Sequence, residues 1–239
     1  MKFQTASSPQ AYTEITEQIS DLILRGELRK GDKLPSERQI ALQTGICRTS
    51  VREAIKILTE AGMLQVTSGW GGGSRLVNVF IPAHLLGVPI DDDPRLLLEI
   101  YEARNIIETA AAQLTALRAT PELLLEMEQT VIEMQRLIEE NPKDYEAYFL
   151  IDTHFHRLVV KGSGNSVFFD MYIPILRRLW QLKDLINLVD MHSYGLLSMQ
   201  QFVQAVRSKD PKAALTAIEA HIKPLIDLLK QGYENRHPE

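Results

Sequence analysis

The sequence predicts a mainly α-helical protein in two parts, on three observations. Apolar residues recur at helical spacing along most of the 239-residue chain. The main break in that pattern, "MLQVTSGWGGGSRLVNVF", reads as two short strands around a glycine-rich tip. The stretch "FIPAHLLGVPIDDD", residues 80–93, carries two prolines, a glycine and three consecutive aspartates with no periodicity, as a boundary would. The expected parts are therefore residues 1–80 and 94–233, joined by a linker over 81–93. Charge divides along the same line. Residues 1–80 hold 10 Lys and Arg against 8 Asp and Glu, and the remainder holds 16 against 23. A near-neutral to basic segment joined to an acidic one suggests two parts with different partners.

Composition narrows the class. At 45% hydrophobic and 24% charged residues the chain is ordinary globular material, long enough to bury a core. Cys47 is the single cysteine, which excludes an intramolecular disulfide framework and fits a reducing compartment. The opening "MKFQTASSPQ" has no apolar signal core. No apolar run approaches the roughly 20 residues that a membrane-spanning helix needs. The expectation is a cytoplasmic protein with no membrane partner.

In the first part, Tyr12, Ile15, Ile19, Leu22 and Ile23 predict an amphipathic helix over 11–25. "RGELRKGDKLP" is expected to be a polar turn. Ser36, with Gln39 three residues later, opens a short second helix through a capping box. Ile40 and Leu42 give that helix an apolar side, and Gly45 ends it. A third helix follows from about Arg48 to Ala61, burying Val51, Ile55 and Leu58. Two strands, Leu64–Thr67 and Arg75–Phe80, close the part. Three helices, the last two joined by a short glycine turn, followed by a β-hairpin wing, make a winged helix-turn-helix. In that arrangement the third helix enters the major groove of DNA by its first turns.

The residues at that helix start suit the task. In "GICRTSVRE", residues 45–53, Arg48 and Arg52 are one turn apart and share a face opposite the apolar one. A guanidinium holds a guanine edge or a phosphate in a bidentate fork. Thr49 and Ser50 add hydroxyls for phosphate, and Glu53 can orient an arginine. On its own the pair would read as a solvated face; the helix, turn, helix and hairpin around it favour DNA. The glycines at 69 and 71–73 would let a wing approach phosphates closely. Trp70 at the tip has no clear role.

Residues 94–233 predict an all-α bundle of six or seven helices, including 121–140, about 143–161, 165–187, 194–208 and 211–231. Two constellations in it carry chemistry. In "DTHFH", Asp152 and His156 share a helix face, while His154 points elsewhere. His221 sits among Ile218, Ile222 and Leu225 on the last helix. One carboxylate and two imidazoles suit a divalent ion such as Zn, Ni or Mn, although apolar-flanked histidines are more often plain core side chains. In "YEARNIIETAA", Arg104 and Glu108 stand one turn apart, either as a structural ion pair or with Arg104 aimed at a ligand carboxylate.

"GDKLPSERQIALQTGICRTSVREAIKILTEAGMLQVTSGWGGGSRL", residues 31–76, closely resembles the DNA-binding domain of GntR-type bacterial transcription regulators. The resemblance implies that Arg38, Arg48 and Arg52 contact DNA and that Gly69 lies at the wing contact. Cys47 stands where the family usually has Ser or Thr, which implies a weaker helix cap here. "EARNIIE", "DTHFHRLVVKGSGN" and "VQAVRSKDPKAALTAIEAHI" are similar, in order and spacing, to the FadR-type (FCD-like) ligand-binding domain. In that domain an Asp and three His hold a metal beside a cavity for a small carboxylate effector. Asp152, His156 and His221 match three of these ligands. Met199 stands at the fourth, where a thioether is a poor substitute. Arg104 matches the effector-clamping arginine.

The function expected is a ligand-responsive transcription regulator, most often a repressor, binding a palindromic operator as a homodimer. It is expected not to be an enzyme. The alternatives are a metal-dependent hydrolase using Asp152, His156 and His221, or an effector-independent DNA-binding protein.

Overall fold

A computed structural model describes residues 11–69, 72–85, 94–182 and 192–234. Trp70, Gly71, most of the expected linker, and the part of the 165–187 helix beyond Leu182 lie outside the described residues. The chain divides into two compact units, Met1–Ile90 and Asp91–Glu239.

The first unit is built in the expected order: α1 (Ala11–Arg25), α2 (Glu37–Thr44), α3 (Arg48–Glu60), β1 (Leu64–Thr67), β2 (Gly73–Leu76) and a short 3-10 turn at Ala83–Leu85. Local chemistry sets the helix ends. Ser36 and Gln39 form the capping box of α2, and Gly45 ends α2 in the left-handed region at φ 73°. Cys47 takes the N-cap position of α3 without a side-chain cap bond. The core joins Ile15, Ile19 and Ile23 of α1 to Val51, Ala54, Ile55 and Leu58 of α3.

Three expectations are corrected here. Leu42 is 74% exposed, because it lies two residues from buried Ile40 and a two-residue step crosses the helix. The second strand runs Gly73–Leu76, not Arg75–Phe80: Leu64 pairs with Leu76, and the amides of Val77 and Asn78 then converge on the Met63 carbonyl, so the ladder stops. The "polar turn" also pairs with the hairpin. Gly31 and Leu34 donate to the Leu76 and Ser74 carbonyls, and Leu76 donates to Asp32. This gives β2 a partner on its other edge.

The second unit is all helix among the described residues: α4 (Pro94–Arg118), α5 (Pro121–Glu140), α6 (Tyr145–Gly162), α7 (Ser166–Gln181), α8 (His192–Arg207) and α9 (Pro211–Glu234). Thr120 caps α5 with Pro121 at its first position, and Asp144 and Asn165 cap α6 and α7. Helix α4 packs against α6, α7, α8 and α9. Its buried Ala111, Ala112 and Ala116 let neighbours come close, and the Thr115 hydroxyl reaches the Val159 carbonyl on α6 at 2.6 Å. None of the described helices is long and apolar enough to cross a membrane.

Candidate functional site

The first unit turns the polar face of α3 outward. Val51, Ala54, Ile55 and Leu58 bury the other face, which leaves Arg48 and Arg52 with side chains 60% and 65% exposed. A single carboxylate gathers both. Arg52 donates from Nε and Nη2 to Glu37 Oε2 at 3.3 and 3.2 Å, and Arg48 Nη2 lies 3.9 Å from the same oxygen. The orienting acid is therefore Glu37 on α2 rather than Glu53, which sequence spacing alone suggested. Arg38 is exposed on α2, and Gly69 sits in open space at φ 98° on the hairpin. That backbone conformation favours glycine over residues with a side chain.

Thr49 and Ser50 do not point away from the protein unengaged. Their hydroxyls lie 3.1 and 3.2 Å from Cys47 Sγ. Hydrogen bonding from Ser50, then Thr49, lowers the exposed thiol to about 7. The thiolate is the nucleophile, so the alkylation rate of this sole cysteine by iodoacetamide should rise with pH through a midpoint near 7. Ser50→Ala should move that midpoint upward. A wild-type midpoint in the ordinary thiol range would show that the two hydroxyls do not stabilise the thiolate.

The second unit brings Asp152, His156, His221 and Arg104 together, all buried. Helix α6 supplies Asp152 and His156 from one face, α9 supplies His221, and α4 supplies Arg104. His154 points away, half-buried beside Glu126. Asp152 Oδ1 lies 3.0 Å from His221 Nε2 and 3.5 Å from His156 Nε2, and the imidazole centroids are 4.6 Å apart. The three ligand atoms lie within 4.8 Å of one another.

A shell of partners orients this trio. Glu108, read from sequence only as a partner for Arg104, is wholly buried. Its Oε1 accepts from Arg104 Nε at 2.6 Å and from the Tyr172 hydroxyl at 2.7 Å, and its Oε2 meets His156 Nδ1. Burial would push Glu108 up, but Arg104 first, then His156 and Tyr172, hold it down to about 2. Burial would raise Asp152 as well, but His156 beside it holds the carboxyl well below the usual carboxylate range. Burial and Arg104 oppose charge on His156, yet Glu108 and Asp152 raise it. Burial and the charge of His156 lower His221. Arg104 Nη2 stands 3.5 Å from Asp152 Oδ2 and the guanidinium lies 5.3 Å from the Tyr101 ring centroid. Any further carboxylate reaching Arg104 would share it with Glu108.

The donor set fits a divalent ion. With Glu108 ionised, His156 Nδ1 must donate, which turns Nε2 toward Asp152 and His221. That buried Nε2 has no hydrogen-bond partner among the described residues. Buried polar atoms are nearly always satisfied, so an Nε2 left 3.5 Å from Asp152 Oδ1 and beside a second imidazole is placed to bind an ion with them. One carboxylate oxygen and two imidazole nitrogens suit Zn, Ni or Mn and leave further coordination positions to water or ligand. Met199 is fully buried on α8, and it brings only a soft thioether where the family resemblance called for an imidazole.

The family profile described as "FCD domain" matches residues 99–224, and the one described as "Bacterial regulatory proteins, gntR family" matches residues 11–72. The chain is 29% identical over 232 residues to the Uxu operon transcriptional regulator of Escherichia coli (strain K12), covering 91% of this chain and 86% of the relative. It is 26% identical over 215 residues to the HTH-type transcriptional repressor NanR of Klebsiella aerogenes, covering 87% and 81%. Among solved structures, Streptococcus agalactiae GntR superposes with a TM-score of 0.50 at 26% identity, covering 90% of this chain and 99% of that one. E. coli McbR/YncC shares the fold, with a TM-score of 0.55 at 19% identity over 93% and 98% of the two chains.

Proposed function

The chain belongs to the gntR family of bacterial regulatory proteins and carries an FCD domain, and on that premise we propose that it is an effector-controlled repressor acting as a homodimer on a palindromic operator. It is a DNA-binding transcription regulator and not an enzyme; the hydrolase alternative for Asp152, His156 and His221 falls with the family. In this reading residues 1–80 bind DNA and residues 94–233 hold the effector and the dimer contact, in the cytoplasm. Arg48 and Arg52 read the operator. Arg38, Thr49, Ser50 and Gly69 contact its backbone. The observation that carries this is the pair of exposed arginines at the start of α3, gathered on one carboxylate and backed by a buried apolar face.

Two features of the helical unit support the rest. Ile106 and Leu117 on α4, and Val167 and Met171 on its neighbour α7, are all more than half exposed. Apolar outer faces of this kind suit a second copy of the chain. The trio of Asp152, His156 and His221 would hold one divalent ion. A small carboxylate would then complete its coordination and engage Arg104.

Selection of duplexes from random DNA, followed by gel shift at fixed salt with a panel of small carboxylic acids, tests this reading. A two-fold symmetric site, released by at least one acid in the presence of a divalent ion, is expected. Arg104→Lys keeps the charge beside Glu108 but loses the planar fork. It should weaken release by the acid roughly 10-fold or more, while operator affinity without acid stays near wild type. If no acid changes the operator complex, the effector-independent alternative takes over. If no DNA is selected, the assignment of the first unit fails.

A further inference from the structure

Ser198 carries one hydroxyl proton. Its Oγ lies 2.8 Å from the Gly195 carbonyl oxygen, one turn back on α8, and 2.7 Å from His221 Nδ1. A carbonyl oxygen can only accept, so with both bonds made the hydroxyl donates to Gly195 and accepts from His221. His221 Nδ1 then bears a proton, and a neutral His221 turns the lone pair of Nε2 toward Asp152 Oδ1 at 3.0 Å. Two lone pairs facing each other at that distance, in a buried pocket, repel unless a cation lies between them. Without Ser198 the ring is free to move its proton to Nε2 and donate to Asp152, a charge-assisted bond that uses up the lone pair an ion needs.

The placement of Ser198 rests on a close approach. A Cβ built on Gly195 would run into the Tyr148 hydroxyl and come 3.6 Å from His221 Cε1. Glycine inside a helix costs about 1 kcal/mol relative to alanine. Here it lets α8 lie against the Tyr148 hydroxyl of α6, in the register that carries Ser198 to His221.

We propose that Ser198 is a positioning residue that holds His221 as its Nδ1–H tautomer, so that Nε2 faces a cation shared with Asp152 and His156. This rests on the ion-site reading above and adds to it the device that prepares one of its ligands. Glu108 acts in the same way on Nδ1 of His156. Ser198 is thus the His221 counterpart of an acid that sequence spacing placed only beside Arg104.

The test uses full-length, chelator-stripped protein labelled with 15N-histidine. Long-range proton–nitrogen correlation spectra at mildly alkaline pH report the tautomer of His221 with no ion present. Zinc titration then reports affinity. Wild type should show the Nδ1–H form, and Ser198→Ala should convert His221 to the Nε2–H form and weaken zinc binding roughly 10–100-fold. Ser198→Thr, which keeps the hydroxyl, should restore both. An unchanged thermal midpoint in Ser198→Ala separates this from a loss of packing. The proposal is overturned if His221 has the same tautomer in wild type and Ser198→Ala, or if both bind zinc equally. If no form binds zinc below about millimolar, the ion-site reading fails, while the tautomer result still decides what Ser198 does.

Discussion

Replacing Arg52 with alanine is expected to weaken operator binding by about 1–3 kcal/mol, and Arg48→Ala by a similar amount. Neither change should disturb the fold. Both side chains are more than half exposed, and their bonds to Glu37 cross water-accessible space, where such pairs contribute at most about 1 kcal/mol. The loss falls on DNA because both guanidinia stand exposed at the start of α3, only lightly engaged by Glu37, and so are available to a base edge or phosphate. Salt dependence separates the possible roles. An arginine on a phosphate should lower the slope of affinity against salt by about 1 when removed, and an arginine on a base edge should relax preference at one position of the site. Glu37→Ala should leave non-specific affinity equal or higher while narrowing the gap between operator and scrambled duplex. Fluorescence anisotropy with both duplexes at matched salt measures all of this. If Arg48→Ala and Arg52→Ala each bind the operator like wild type, α3 does not read the DNA.

What was legible in the sequence was what local chemistry encodes. The Ser36–Gln39 capping box, the Gly45 helix end and the buried face of α3 all follow from residues within one or two turns of each other. Leu42 was within reach of the same local reasoning, since a two-residue step from Ile40 crosses the helix, but the second strand depends on non-local information. The register of β2 depends on Leu64 and on Gly31–Leu34, which pair with it from elsewhere in the chain. The same division runs through the candidate site. Asp152 and His156 stood out because one helical turn puts them on one face, whereas His221, flanked by Ile218, Ile222 and Leu225, read as an ordinary core histidine until the family resemblance matched it to a ligand. Glu108 meets His156 across 48 residues, Tyr172 meets Glu108 across 64, and Ser198 meets His221 across 23. A lone hydroxyl or carboxylate at such separations carries no periodic signal. Arg104 and Glu108 were recognisable as a pair, but their shared role with α6 and α7 appears only when those helices pack on α4.

Glu108→Ala should destabilise the helical unit by about 3–5 kcal/mol. No part of Glu108 reaches solvent, and one carboxylate satisfies three buried groups: the Arg104 guanidinium, the Tyr172 hydroxyl and His156 Nδ1. Alanine there would leave Arg104 with Asp152 at 3.5 Å and the Tyr101 ring as its remaining counterparts. It would also orphan two polar atoms and open a cavity. An uncompensated buried charge costs far more than the intact pair contributes, so removing both charges together should be milder than removing one. Arg104→Met with Glu108→Gln should therefore lose less than the sum of the single substitutions, with a coupling of about 1–3 kcal/mol. Urea unfolding of chelator-treated protein measures this. In a Trp70→Phe background Trp180, nearly buried on α7, is the sole tryptophan and reports on the helical unit. Destabilisation of Glu108→Ala below about 1 kcal/mol, or strict additivity in the double variant, would mean that Glu108 does not hold the cluster together. His156 would then owe its orientation to packing alone.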